Sequence, residues 1–189
     1  QGGSLSAGGS GGEGGGIRID NNATLTADHI IVAGNYSEKG AGIFNRGVLT
    51  LTDSILSNNG TPATQEGGGL SNHENAILER VTVSGNKAID GAGLHQDNSA
   101  NDMKLTNVTV SGNTATGLGG GLYAQELTTI LNSTFTLNTT NNDGAGIYIG
   151  SGTLNIKNTI VANNFAGGTG DEVNGSVNSL DFNLIKYTA

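Results

Sequence analysis

The side chains best suited to chemistry in this chain stand at matching places in a repeat. After each of six glycine-rich steps comes an aliphatic residue, and after that Arg18, Phe44, Ser71, His95, Tyr123 or Tyr148. Rings set one above another on an extended surface stack on sugars, so Phe44, His95, Tyr123 and Tyr148 form a candidate glycan-binding strip. A ladder of like rings that stiffens a flat face is the competing account. Directly before the steps stand Glu13, Lys39, Glu66, Asp90, Leu118 and Asp143. Carboxylates at successive bends offer the oxygens that calcium takes, which makes Glu66, Asp90 and Asp143 candidate metal ligands and calcium the candidate cofactor. Lys39 and Leu118 interrupt that column, and solvated carboxylates at turns explain it as well.

Catalytic chemistry is harder to find. Polysaccharide lyases need a base beside a neutralised carboxylate, and hydrolases need paired carboxylates at a set separation. Lys39, Arg46, Arg80, Lys87 and Lys104 fall in different columns, and His73 stands at another repeat position than His29. Asp97 and Asp102 share the longest insertion, 96–102, beside His95. That loop is the one place to look for a carboxylate–histidine site, although surface loops tolerate insertions without any function. His73-Glu74 has no second His four residues on, so it is no zinc helix motif. Thr26, Thr50 and Thr52 suggest an ice-ordering row, which Ile77, Lys104 and Asn155 break. No catalytic residue is assigned.

These positions repeat because the framework does. The last glycine of each step is Gly16, Gly42, Gly69, Gly93, Gly121 or Gly146, giving gaps of 26, 27, 24, 28 and 25 residues. A period of that size means an array of one supersecondary unit. Each unit also carries an Asn after a β-prone run: Asn35, Asn59, Asn86, Asn113, Asn138 and Asn164. Three residues earlier lie Val32, Leu56, Val83, Val110, Phe135 and Val161, and eight earlier Ala27, Leu51, Leu78, Leu105, Ile130 and Ile156. Ten earlier lie Leu25, Leu49, Ala76, Met103, Thr128 and Leu154, with a mostly polar set between the last two columns. Alternation of period two means strands with one buried face.

About three short strands per unit, stacked one unit per turn at roughly 4.8 Å, bring each column over itself. The predicted fold is all-β: a right-handed parallel β-helix of six to seven turns of 24–28 residues, with three strands per turn and an Asn ladder at one bend. Residues 1–13 read as a Gly/Ser-rich lead-in, 14–189 as one β-helix domain, and about 176–189 as its last partial turn.

Composition narrows the function classes. Eight Lys and Arg against 16 Asp and Glu give a net charge of −8. A basic stripe for phosphate backbones is missing, which argues against nucleic acid as a partner. No apolar run reaches the length of a membrane span. With no cysteine there is neither a disulfide nor a thiolate metal site. The Asn, Thr, Ser and Gly richness suits an extracellular β-rich surface. Open β-helix ends expose strand edges, so end-to-end self-association into a filament is an expected partner mode.

The Gly-Gly-x-Ile step, the strand Leu49-Thr50-Leu51-Thr52-Asp53-Ser54 and the turns Val83-Ser84-Gly85-Asn86 and Val110-Ser111-Gly112-Asn113 resemble those of bacterial right-handed β-helix repeat proteins. The group meant is the secreted surface proteins with a choice-of-anchor C-terminal domain. The repeats are also similar to polymorphic-membrane-protein passengers. The most specific part is the tail, Asn158-Thr159-Ile160-Val161-Ala162-Asn163-Asn164, then residues 167–179, and then Asn183-Leu184-Ile185. The resemblance implies a secreted or bacterial cell-surface location and no particular reaction. The expectation is therefore a non-enzymatic structural or adhesive segment presenting an Asn/Thr/aromatic face to glycans, surfaces or other chains. A carbohydrate-active β-helix enzyme is the alternative.

Overall fold

The computed structural model describes residues 4–5, 12–99 and 101–186. It is a parallel β-solenoid of about six turns, all-β, with three strands per turn. The strands after the glycine steps run from Ile17–Ile19 through Ile147–Ile149 to Val173–Asn174 and form one seven-stranded sheet. The Leu-x-Leu strands, Thr24–Asp28 to Val177–Asp181, form a second. The strands before the Asn column, with Ile31–Ala33 and Thr82–Ser84 among them, form an eight-stranded third. A short fourth sheet, Lys87–Ala88, Thr114–Ala115, Thr139–Thr140 and Phe165–Ala166, follows the Asn column in the middle turns. The columns meet in register: Ile43 pairs Leu70, Leu94 pairs Leu122, Leu105 pairs Ile130, and Val83 pairs Val110.

The interior is the stack of those aliphatic columns. Val32, Leu49, Leu78, Leu105, Val110, Leu122, Ile130 and Phe135 have no exposed surface. At roughly 1.5–3 kcal/mol per buried aliphatic side chain, the stack supplies the main favourable term, and each turn depends on its neighbours to bury its share.

The glycine step has a different reason at each end. Its first glycine turns the chain with positive φ, as at Gly91 (56°) and Gly119 (63°). Its last glycine lies against the next turn: a Cβ on Gly121 would sit 2.5 Å from the Gly146 carbonyl oxygen and 3.0 Å from Asn138 Nδ2. Only hydrogen fits there.

Every Asn of the predicted ladder is buried. Asn86 donates from its backbone N–H and from Nδ2 to Asn113 Oδ1, at 2.9 and 3.0 Å, and Asn113 does the same to Asn138 Oδ1 at 3.1 and 2.9 Å. The pattern runs from Asn35 through Asn59 to Asn164. Asn164 then donates to Glu172 Oε2, at 3.2 and 2.6 Å. Glu172 stands where the earlier turns have the last glycine of the step. With no following turn pressed against it among the described residues, a side chain fits, and it caps the ladder.

Glu172 also hides the start of the seventh turn, which opens with Val173 paired to Ile147 rather than at about 176. Most of the expected lead-in over 1–13 lies outside the described residues, as do 187–189 of the last turn, but Ser4–Leu5 pairs in parallel with Ile31 and Val32.

Candidate functional site

The outward column of the first sheet is in register, with Arg18 on Phe44, Ser71 on His95, and His95 on Tyr123 and then Tyr148. His95, Tyr123 and Tyr148 stack with centroids 4.9 and 5.2 Å apart. Two of the four predicted strip residues are covered, however. Phe44 has no exposed surface: the His73 ring lies 4.8 Å from it and the Arg46 guanidinium 4.9 Å above it. His95 is 5% exposed. Only Tyr123 and Tyr148 keep ring surface for a sugar, so the strip is mainly a structural stack.

The predicted calcium column separates into unrelated partners. Glu13, Lys39, Glu66 and Asp90 are bridged in parallel from turn to turn. Lys39 therefore stands between two carboxylates, and its Nζ lies 3.3 Å from Glu66 Oε1. Asp90 Oδ1 accepts the Leu118 N–H at 2.7 Å, and Asp143 Oδ1 accepts the Thr169 N–H at 2.6 Å. Asp90 and Asp143 fasten bends of adjacent turns, and neither joins Glu66 in a ligand set.

What the fold does gather is a cluster around His73. The strand Leu70–Asn72 carries Ser71, the bend after it carries His73, Glu66 stands directly before the glycine step that leads into the strand, and the 96–102 insertion brings Asp97 from the next turn. His73 Nε2 lies 2.8 Å from Glu66 Oε1 and 3.0 Å from Ser71 Oγ, while Nδ1 lies 3.5 Å from Asp97 Oδ1. Ser71 Oγ donates to Glu66 at 3.0 Å. Asp97 Oδ1 also accepts the backbone N–H and the hydroxyl of Ser99.

Burial pushes the Glu66 carboxyl up, but the His73 hydrogen bond and the fields of His95, His73 and Lys39 outweigh it and hold the group at about 2. Burial pulls Asp97 up too, and the Ser99 hydrogen bonds bring it below its ordinary value. Burial pushes the His95 imidazole down against the opposing fields of Glu66 and Asp97.

A hydroxyl, an imidazole and a carboxylate in line is the order of a nucleophile, its base and an orienting group. Ser71 is fully buried, and its hydroxyl is engaged by Glu66. It presents no surface to a substrate. The neighbouring cleft, about 600 Å³, is lined by Asn21, Arg46, Val48, His73, Glu74 and Ser99 at the bend between the first two sheets.

The linkage of Glu66 to folding has a definite sign. Its carboxyl falls from 4.5 in the unfolded chain to about 2 in the fold. A depressed carboxyl contributes stability that is fully present above the unfolded value and is lost as the pH falls towards the folded one. The expected result is a wild-type advantage over Glu66→Gln in urea midpoint that is largest above 4.5 and shrinks towards pH 2. An advantage that stays constant across that window would show that another group carries the acid response.

Sequence reasoning set His73 aside because it matched no column. His73 stands on the bend just past the strand, where the chain turns its ring back over Ser71, and nothing in the spacing signals that turn. Placing Asp97 beside them needed the coil register. No family profile matches the chain, and neither the curated proteins nor the solved structures hold a significant match to it.

Proposed function

We propose that this chain is a structural and adhesive β-helix segment, non-enzymatic and extracellular, that holds carbohydrate or a solid surface against one flat face. The observation that supports it is the outward side of the third sheet. Two residues point outward from each of six successive strands: Ile31 and Ala33, Ile55 and Ser57, Thr82 and Ser84, Thr109 and Ser111, Thr134 and Thr136, Ile160 and Ala162. None carries a charge, and Ile31, Ile55 and Ile160 are each about two-fifths exposed at 43, 38 and 43%.

The outward side of the second sheet, by contrast, carries Asp28, Glu79, Lys104 and Lys157. A charge-free row of methyl and hydroxyl groups spaced by the sheet repeat suits a flat, regularly hydroxylated partner, where every charge would have to be desolvated. The cysteine-free, Asn/Thr-rich composition and the resemblance to choice-of-anchor and polymorphic-membrane-protein repeats support a cell-surface setting. Stacking of copies end to end fits the same reading, because Leu180, Phe182 and Leu184 are exposed on the last turn.

The test is retention on insoluble polysaccharides and a glycan array. Thr109→Lys with Thr134→Lys is expected to reduce retention at least tenfold, while Thr129→Lys on the second sheet leaves it unchanged. Retention lost only in Tyr123→Ala/Tyr148→Ala would move the face to the ring stack, and no retention by the wild type would end the adhesive reading.

One observation favours the carbohydrate-active alternative: a cation, an imidazole and a carboxylate, from Arg46, His73 and Glu74, line one cleft. Release of new sugar ends from a polysaccharide panel, lost in His73→Ala, would favour it.

A further inference from the structure

We infer that Glu66, His73, Asp97 and His95 form a binding site for one divalent transition-metal ion of the zinc type, which ties the 96–102 insertion to the preceding turn. One ligand atom from each of Glu66, His73 and Asp97 lies within 4.8 Å of the others. Tetrahedral zinc with bonds of ~2.0–2.1 Å sets its ligand atoms about 3.3 Å apart. His73 meets Glu66 through Nε2 at 2.8 Å and Asp97 through Nδ1 at 3.5 Å. One ion takes a single nitrogen of the ring, so the three ligand atoms draw in to that spacing around it from separations that already lie within 4.8 Å.

His95 supplies an independent observation. Its Nδ1 is buried and makes no hydrogen bond, in a residue only 5% exposed. Such an atom costs free energy unless something meets it. His95 pairs with Ser71 in the sheet register, and Ser71 Oγ touches both Glu66 and His73. The ring also feels the charges of Glu66, Asp97 and His73. It stands beside the cluster on the adjacent strand, outside the three atoms that already lie within 4.8 Å of one another, and becomes the fourth ligand as Nδ1 turns to the ion.

The donor set selects the ion. Two imidazole nitrogens with two carboxylate oxygens suit zinc or a neighbouring transition ion, whereas calcium takes six to eight oxygens. Ser71 donates to Glu66 and orients it, the kind of support that metal-ligating carboxylates receive. Lys39, whose side chain is 35% exposed, is the cation that now faces Glu66 and turns to solvent when the ion enters. The second gathering of such groups, Asp28, His29 and Asp53, is different. It lies at the surface, and Arg80 already holds Asp53 through two bonds of 2.7 and 2.8 Å.

The experiment is calorimetric titration of chelator-treated, tag-free protein with zinc chloride at neutral pH, with melting followed in parallel. One zinc per chain and a higher melting temperature are expected. His73→Gln and Asp97→Asn should each weaken binding at least tenfold. His95→Phe, which keeps the ring stack on Tyr123 and removes Nδ1, should do the same while remaining folded by circular dichroism. His29→Gln should titrate like the wild type. The inference is overturned by the absence of stoichiometric zinc uptake, by calcium binding in its place, or by His73→Gln and Asp97→Asn titrating unchanged. Wild-type affinity in His95→Phe would remove the fourth ligand.

Discussion

Val110→Asp is expected to abolish cooperative folding of the middle turns. Val110 is fully buried and pairs with Val83 on one side and Phe135 on the other. An ionised carboxylate there would lie on the axis of the core among aliphatic groups. The effective cost of burying an unpaired charge is several kcal/mol, on top of the lost valine contacts. Whole domains are stable by only about 5–15 kcal/mol. Because each turn is stabilised by its neighbours, failure in the middle also uncouples the two flanks. Circular dichroism during urea titration should show loss of the single transition, and hydrogen exchange should spread outward from residues 105–115. The internal control is Thr109→Asp, one residue earlier and pointing outward, with an expected change within about 0.5 kcal/mol. If the two variants melt alike, the inward and outward assignment of that strand is wrong.

Asn113→Ala is expected to be the costliest loss among the bends. Asn113 Oδ1 accepts both the N–H and the Nδ2 of Asn86, and Asn113 Nδ2 donates to Val83 O and Asn138 Oδ1. Truncation leaves buried donors and acceptors on both sides without partners. At about 1–3 kcal/mol for each unsatisfied buried group, a loss of about 4 kcal/mol follows. Asn113→Asp should be at least as damaging, because a carboxylate cannot donate to Val83 O or Asn138 Oδ1 and repels both. The chain itself supports the contrast, since a carboxylate occurs in this ladder only as Glu172, where it accepts from Asn164 alone. Urea midpoints of the two variants measure the effect, and a cost below about 1 kcal/mol for Asn113→Ala would mean that water replaces the lost partners.

The framework was legible in the sequence because a solenoid writes its register as a period. Leu49, Ala76, Met103, Thr128 and Leu154 were aligned by counting back from Asn, and they pair in that order in the second sheet. Features that break the period were less visible. Val173 opens the seventh turn behind Asp171-Glu172 instead of a glycine step, so its start was placed too late. The short fourth sheet left no apolar alternation, since strands of two residues have none to show.

Burial across a bend was not legible either. Alternation correctly turned Phe44 and His95 away from the core, but it carries no information about what folds over them. His73 and Arg46 cover Phe44. The His73 cluster joins residues 66, 71, 73 and 97, and only the stacking of one turn on the next brings the last of these to the first three.

The asparagine row also gives the shaft an electrical polarity. Every amide in it donates one N–H to the oxygen of the next member on the C-terminal side and accepts from the member before, so the side-chain amide dipoles add head to tail instead of cancelling, as peptide dipoles do along an α-helix. The positive pole of that series meets the Glu172 carboxylate. One amide flipped anywhere along the line would set two like poles face to face, so each member holds its neighbours to the same direction.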